Sequence, residues 1–174
     1  AGISAFFAEP LPYQGTDDYP YSVAFPALMR AAEKENFKIA IWVYGAHYAK
    51  GDVDRVISEA KRALSDWKDS PAYLRIDGKP VYVLAFLGAY PAWGWFKPED
   101  LTRFRSEVEA FIGERIYLIW MMDSWSKFPD AIPEHWWSHP AIDSFIRYIG
   151  WNDEGRYWFG DFTKDQFKAE YVFD

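Results

Sequence analysis

No cysteine occurs in the 174 residues. A disulfide framework, a thiolate metal site and a cysteine nucleophile are thereby excluded, and the compartment stays unread, since redox chemistry carries no signal here. Positive charge is also short. Lys and Arg total 19 against 26 Asp and Glu, a formal net charge of -7, so the surface repels phosphate backbones and no nucleic-acid partner is expected. The longest apolar runs, within Lys38 to Ala46 and Pro80 to Gly88, fall well short of the ~20 residues that a membrane-spanning helix needs. No membrane span is expected. The turn after the first apolar run reads Ala8-Glu9-Pro10-Leu11-Pro12 rather than a glycine-rich phosphate cradle, and no G-x-S-x-G elbow appears. Neither a nucleotide cofactor nor serine-hydrolase chemistry is supported. Of three histidines, His135 and His139 stand four apart, but Pro140 follows at once and no H-E-x-x-H pattern exists. No metal site is expected.

What the chain has in abundance is aromatic side chains: 10 Trp, 12 Tyr and 14 Phe. Core packing accounts for many of them, and Trp67, Phe104 and Phe111 sit at helical spacing that predicts burial. Others cluster just past the ends of apolar runs. A flat ring with a polar handle stacks on the C–H face of a sugar as readily as on a neighbouring side chain. Trp93, Trp95, Trp125, Trp136, Trp137, Trp151 and Trp158 occupy such positions.

Five apolar runs recur along the chain, at Ile3 to Glu9, Ile39 to Ala46, Val81 to Gly88, Ile116 to Asp123 and Ile142 to Trp151. Their continuity, with no strict in-out alternation, predicts parallel strands covered on both faces. Helical patterns alternate with them. The first, Ala24 to Asn36, places Ala24, Leu28, Ala31 and Ala32 on one face, with Pro26 tolerable in its first turn. The second opens at Asp52 as N-cap and carries Val53, Val56, Ile57, Ala60, Leu64 and Trp67 as one stripe. The third starts at Pro98 with acids in its first turn, buries Leu101, Phe104, Val108 and Phe111, and ends at Gly113. Between Ser126 and Pro140 three prolines leave room only for a short helix around Glu134.

Alternating strands and helices predict an α/β domain over residues 1–174, either a (β/α) TIM-barrel-type fold or an open, doubly wound five-stranded sheet. Five strands are too few for a whole barrel, which needs eight and roughly 250 residues, and the chain opens almost directly into an apolar run. A barrel piece truncated at both ends is the expectation. Its two apolar edge strands would then need cover, which predicts self-association or an exposed strand edge.

In parallel α/β folds the carboxyl ends of the strands carry chemistry. There the sequence places Glu9 after the first strand, Tyr44 and His47 after the second, and Tyr90 and Trp93 after the third. Asp123 and Trp125 follow the fourth, and Tyr148, Trp151 and Glu154 the fifth. Glycoside hydrolysis requires two carboxyl groups, one as acid and one as base or nucleophile. Glu154, Asp123 and Glu9 are the catalytic candidates, with Asp153 also nearby. Tyr44, His47, Tyr90, Trp93, Trp125, Tyr148 and Trp151 are the candidate substrate-binding residues. Each acid alone could equally cap a helix or pair with an arginine. Together, beside so many indoles, they point to a carbohydrate substrate.

The segment Ser70 to Val83, SPAYLRIDGKPVYV, resembles the stretch leading into a central strand of the endo-α-mannosidase-like glycoside hydrolases (glycoside hydrolase family 99-like). Ala1 to Phe6 and Phe37 to Tyr44 look like the second and third barrel strands of that family. The resemblance implies a (β/α) barrel that cleaves internal α-mannosidic or related links with retention of configuration. It also implies catalytic acids late in the chain, and the nearest phrase is Trp151-Asn152-Asp153-Glu154-Gly155, which brings Glu154 forward as a catalytic residue. On that count Ile142 to Tyr148 is the sixth strand. The alternative reading is a non-catalytic carbohydrate-binding or assembly protein on the same fold.

Overall fold

A computed structural model describes residues 5–8, 21–43, 52–85, 97–122 and 139–147. Its elements are β1 (Ala5–Ala8), α1 (Tyr21–Lys34), β2 (Lys38–Val43), α2 (Val53–Trp67), β3 (Arg75–Ile76), β4 (Lys79–Ala85), α3 (Pro98–Ile112), β5 (Tyr117–Met122) and β6 (Ser144–Arg147). Strand and helix alternate as the apolar runs predict, and all three helices form where their patterns lie.

Local chemistry accounts for each helix boundary. The Asp52 carboxylate accepts the Arg55 amide hydrogen at 3.0 Å, satisfying one of the orphan donors at the start of α2. At the start of α3, Pro98 brings a preset φ and the Asp100 carboxylate accepts from the Lys97 amide at 2.8 Å. Gly113 ends that helix with φ of 76° and donates to the Glu109 carbonyl. α1 ends differently, because Asn36 takes φ of 53° and lets the Phe37 amide reach back to the Ala32 carbonyl at 2.8 Å. Asn is the side chain best suited to the left-handed region after glycine.

Two expectations about helix faces are corrected. α1 begins at Tyr21, so Pro26 is its sixth residue rather than a first-turn residue, and the buried set is Phe25, Met29 and Ala32, with Ala24 and Ala31 exposed. The stripe is rotated by about one position from the expected one, because the larger Phe and Met take the inward positions and leave Ala24 and Ala31 outside. In α3 the buried set is Leu101, Phe104, Arg105 and Val108, whereas Phe111 is 59 % exposed. Below Val108 the stripe continues four residues on, to Ile112, which packs on the core. Phe111 lies off it, its ring 5.9 Å from the Lys61 ammonium.

Five strands run parallel in the order β1-β2-β4-β5-β6. Neighbours in the sheet are neighbours in sequence, and the order does not reverse among the described strands. The exception is β3, which pairs antiparallel with β4 through Asp77 and Gly78. Their φ values of 51° and 75° are those of a two-residue turn of the mirror-image type, for which Asp-Gly is a favoured pair. Just before it, Tyr73 forms a parallel bridge with Ile39, with Ile39 donating to the Ala72 carbonyl and Leu74 donating to that of Ile39. This segment fills the ladder beside Pro80, which has no N–H to offer.

Ile41, Tyr82 and Leu118 are register partners and share one face of the sheet. The Tyr82 ring lies 5.7 Å from that of Phe104, so α3 covers this face. α2 packs along α3, and Phe25 of α1 meets Trp67 of α2 edge-on at 5.3 Å. The three helices therefore form one layer. Nevertheless the opposite face is buried too: Ala40, Val81 and Val83 are fully buried, and Ile119 and Met121 nearly so. Burial on both faces explains why the strands read as continuous apolar runs. Among the described residues β1 pairs only with β2 and β6 only with β5, and no helix there is long and apolar enough to cross a membrane.

Candidate functional site

Parallel strands share one carboxyl edge. It is marked by Ala8, Val43, Ala85, Met122 and Arg147. Met122 and Arg147 are register partners, Ala85 pairs with Met121, and Val43 pairs with Leu84, so four of these ends lie nearly level. Ala8 pairs with Ile41. β1 thus stops short of the others.

Glu9, Asp123, Glu154, Tyr44, His47, Tyr90, Trp93, Trp125, Tyr148 and Trp151 all lie outside the described residues. Four of them directly follow a described strand in the chain. Glu9 is next after Ala8, Tyr44 after Val43, Asp123 after Met122 and Tyr148 after Arg147. The expected short helix around Glu134 also lies outside the described residues, as does His135. His139 is within them, where its Nδ1 accepts the Ala141 amide hydrogen at 3.2 Å and its carbonyl accepts from Ile142. Those bonds form the turn that leads into β6. Among the described residues no group of His, Asp and Glu could hold a metal ion.

Two charged clusters among the described residues occupy the other end of the sheet, apart from the Asp54–Arg103–Glu107–Lys61 chain that links α2 to α3. Arg105 is 8 % exposed and spends its donors on protein. Nε donates to Glu109 Oε1 at 2.9 Å, Nη1 to the Ala141 carbonyl at 2.9 Å and Nη2 to the Ile116 carbonyl at 3.1 Å. Its Nη1 also lies 2.9 Å from Asp143 Oδ2. Asp143 in turn accepts the Leu118 amide hydrogen at 2.9 Å, and Glu109 accepts that of Ile116 at 3.1 Å. Lys79 stands 3.6 Å from Asp143. An arginine this deep is tolerable because each charge and donor has a counterpart.

A second cluster joins the end of α2, the β3–β4 turn and the end of α3. Arg75 grips Glu114 with two bonds of 2.8 and 3.2 Å and also donates to the carbonyls of Gly78 and Lys68. The bidentate Arg75 guanidinium, and secondarily Lys68, hold the Glu114 carboxyl below the usual carboxylate range. Nearby, burial pushes the Tyr73 hydroxyl well above its ordinary value while that hydroxyl donates to the Val81 carbonyl at 2.8 Å. It is a structural donor.

These groups are absent from the sequence-based candidates. Arg105 carried a readable signal, a charged residue inside the apolar stripe of α3 with an acid four residues on. Asp143 had none, since a single acid before an apolar strand is commonplace. No known protein family, curated protein or solved structure matches the chain.

Proposed function

We propose that the chain is a large part of a (β/α) barrel glycoside hydrolase, acting on an oligo- or polysaccharide of the α-mannoside type. The observation that carries this reading is the sheet's order: five parallel strands advance without reversal under a single helix layer, and every carboxyl end runs into a segment bearing acids or aromatics. Parallel crossovers are nearly always right-handed, so strands that advance in one direction keep their helices on one side. Such a sheet curls toward a barrel, whereas a doubly wound sheet needs a reversal. Burial of the face away from the helices fits a barrel interior, which is packed with side chains. The resemblance around Asp77-Gly78-Lys79-Pro80 supports the same conclusion, and its turn geometry suits the start of a central strand.

Strand spacing favours one carboxylate pair. Met122 and Arg147 are partners on adjacent strands, which lie ~4.8 Å apart; Asp123 directly follows the first in the chain, and Glu154 comes seven residues after the second. A retaining pair of carboxyl groups stands ~5–5.5 Å apart. Glu9 follows β1, which stands three strands from β5 in the sheet order. It suits a substrate contact better than a partner of Asp123. The ring-bearing residues Tyr44, His47, Tyr90, Trp93, Trp125, Tyr148 and Trp151 supply stacking and hydrogen-bonding surface for sugars.

The test measures release of reducing ends from an α-mannan oligosaccharide, alongside binding of the same sugar by calorimetry. Glu154→Gln and Asp123→Asn should each lower hydrolysis by at least ~100-fold, the usual scale for losing a positioned acid or base, with binding retained. Binding without hydrolysis in the parent chain would leave a carbohydrate-binding protein. Failure to bind any sugar would end the proposal.

A further inference from the structure

We propose that the Arg105–Asp143 pair is a register pin that fixes how β6 docks on β5. The need for one can be read in β6 itself. Ser144-Phe145-Ile146-Arg147 offers one large apolar and one polar residue to each parity, so burying Phe145 and burying Ile146 are near-equivalent choices. Register is weakly specified where both parities look alike, and a slip of one residue exchanges the two faces. β2 and β4, by contrast, are held by a partner strand on each side.

The pin works because α3 is already fixed against the sheet by Leu101, Phe104 and Val108, all fully buried. From that base Arg105 reaches the Ala141 carbonyl and the Asp143 carboxylate on one segment, and the Ile116 carbonyl on the other. Asp143 completes the link by accepting the Leu118 amide hydrogen and donating its own amide to the Leu118 carbonyl. A one-residue shift would carry Asp143 away from Leu118 and leave the buried guanidinium with the Glu109 carboxylate alone. That penalty applies to the slipped registers alone. Replacing a buried ion pair by apolar residues is often neutral for stability, and specifying one arrangement is the best-attested reason for keeping it. The consequence is positional: the pin decides from where on the sheet the chain leaves toward Tyr148, whatever that end binds.

The absence of cysteine makes the test clean, because any disulfide formed reports an engineered pair. Ile119 and Ser144 are register partners, and adjacent strands place their Cα atoms within disulfide reach. Ile119→Cys with Ser144→Cys should therefore cross-link in the parent chain, and Ile119→Cys with Phe145→Cys should not, since neighbouring positions point to opposite faces. Adding Arg105→Met or Asp143→Asn should raise the second cross-link several-fold at the expense of the first, in protein that remains folded by circular dichroism. Folded variants that form only the first cross-link would overturn the proposal. If Arg105→Met does not fold, Asp143→Asn decides, because it keeps the side chain's shape and an acceptor oxygen. If neither folds, the pair supports the whole domain and the register role is wrong.

Discussion

Two phenylalanines on α3 provide a sharp check on the packing. Phe104 is fully buried and meets the Tyr82 ring at 5.7 Å, whereas Phe111, two turns further along, is 59 % exposed. Truncating each to alanine removes the same atoms from the same helix, so helix propensity cancels and burial is isolated. Phe104→Ala should cost ~3–5 kcal/mol through lost transfer energy and the cavity left under the sheet. For a chain of this size that lowers Tm by about 6–20 °C, at ~2–4 °C per kcal/mol. Phe111→Ala should stay within ~0.5 kcal/mol of the parent, because it loses only surface area and an exposed contact with the Lys61 ammonium. Urea unfolding followed by tryptophan fluorescence reads both, and the midpoint should move with the slope unchanged. A Phe111→Ala loss comparable to that of Phe104→Ala would refute the placement of α3, and with it the face assigned to the sheet.

Gly78→Ala should destabilise by ~1–2 kcal/mol in the same assay; its added Cβ would meet nothing within 4 Å, so a positive φ of 75° is the whole cause. Asp52→Ala should cost ~1 kcal/mol by orphaning the Arg55 amide, and Asp52→Asn should restore most of it. Glu114 has a lowered folded-state pKa, so its contribution is present above the ordinary carboxylate value of 4.5 and is lost as pH falls through the folded value. Glu114→Gln should therefore flatten the loss of stability below about pH 4.5 relative to the parent, which stability curves across that range would show.

The parts that could be read from sequence were those where one local signal and one tertiary demand coincide. α2 is such a case: its cap at Asp52 and its stripe from Val56 to Leu64 agree with the face the sheet covers. The parallel strands were legible because burial on both faces removes polar residues from both parities. Where two signals competed, pattern alone failed. Phe111 continues the apolar spacing by three, Ile112 continues it by four, and only the position of the sheet decides between them. The hairpin at Arg75–Ile76 is too short to have a period, although its Asp-Gly turn was plain.

The clusters around Arg105 and Glu114 show why the site is harder to read than the frame. Both join residues far apart in sequence, so beyond the Arg105–Glu109 spacing no window of the chain reveals either. Both also sit at the end of the sheet where strands begin, and there they spend Glu109, Glu114 and Asp143 on holding α3, the β3–β4 turn and the start of β6 in place. Carboxylates committed in this way are poor candidates for general acid or base, which must be free to exchange a proton with a substrate. The proposed glycosidase chemistry draws on none of them, and on acids that follow the strands in sequence instead. In a parallel sheet that separation of roles is expected, because one edge receives the chain from the helices while the other gives it to variable loops. Of the acids named from sequence, Glu9 directly follows β1 and Asp123 directly follows β5 in the chain, and Glu154 comes after β6.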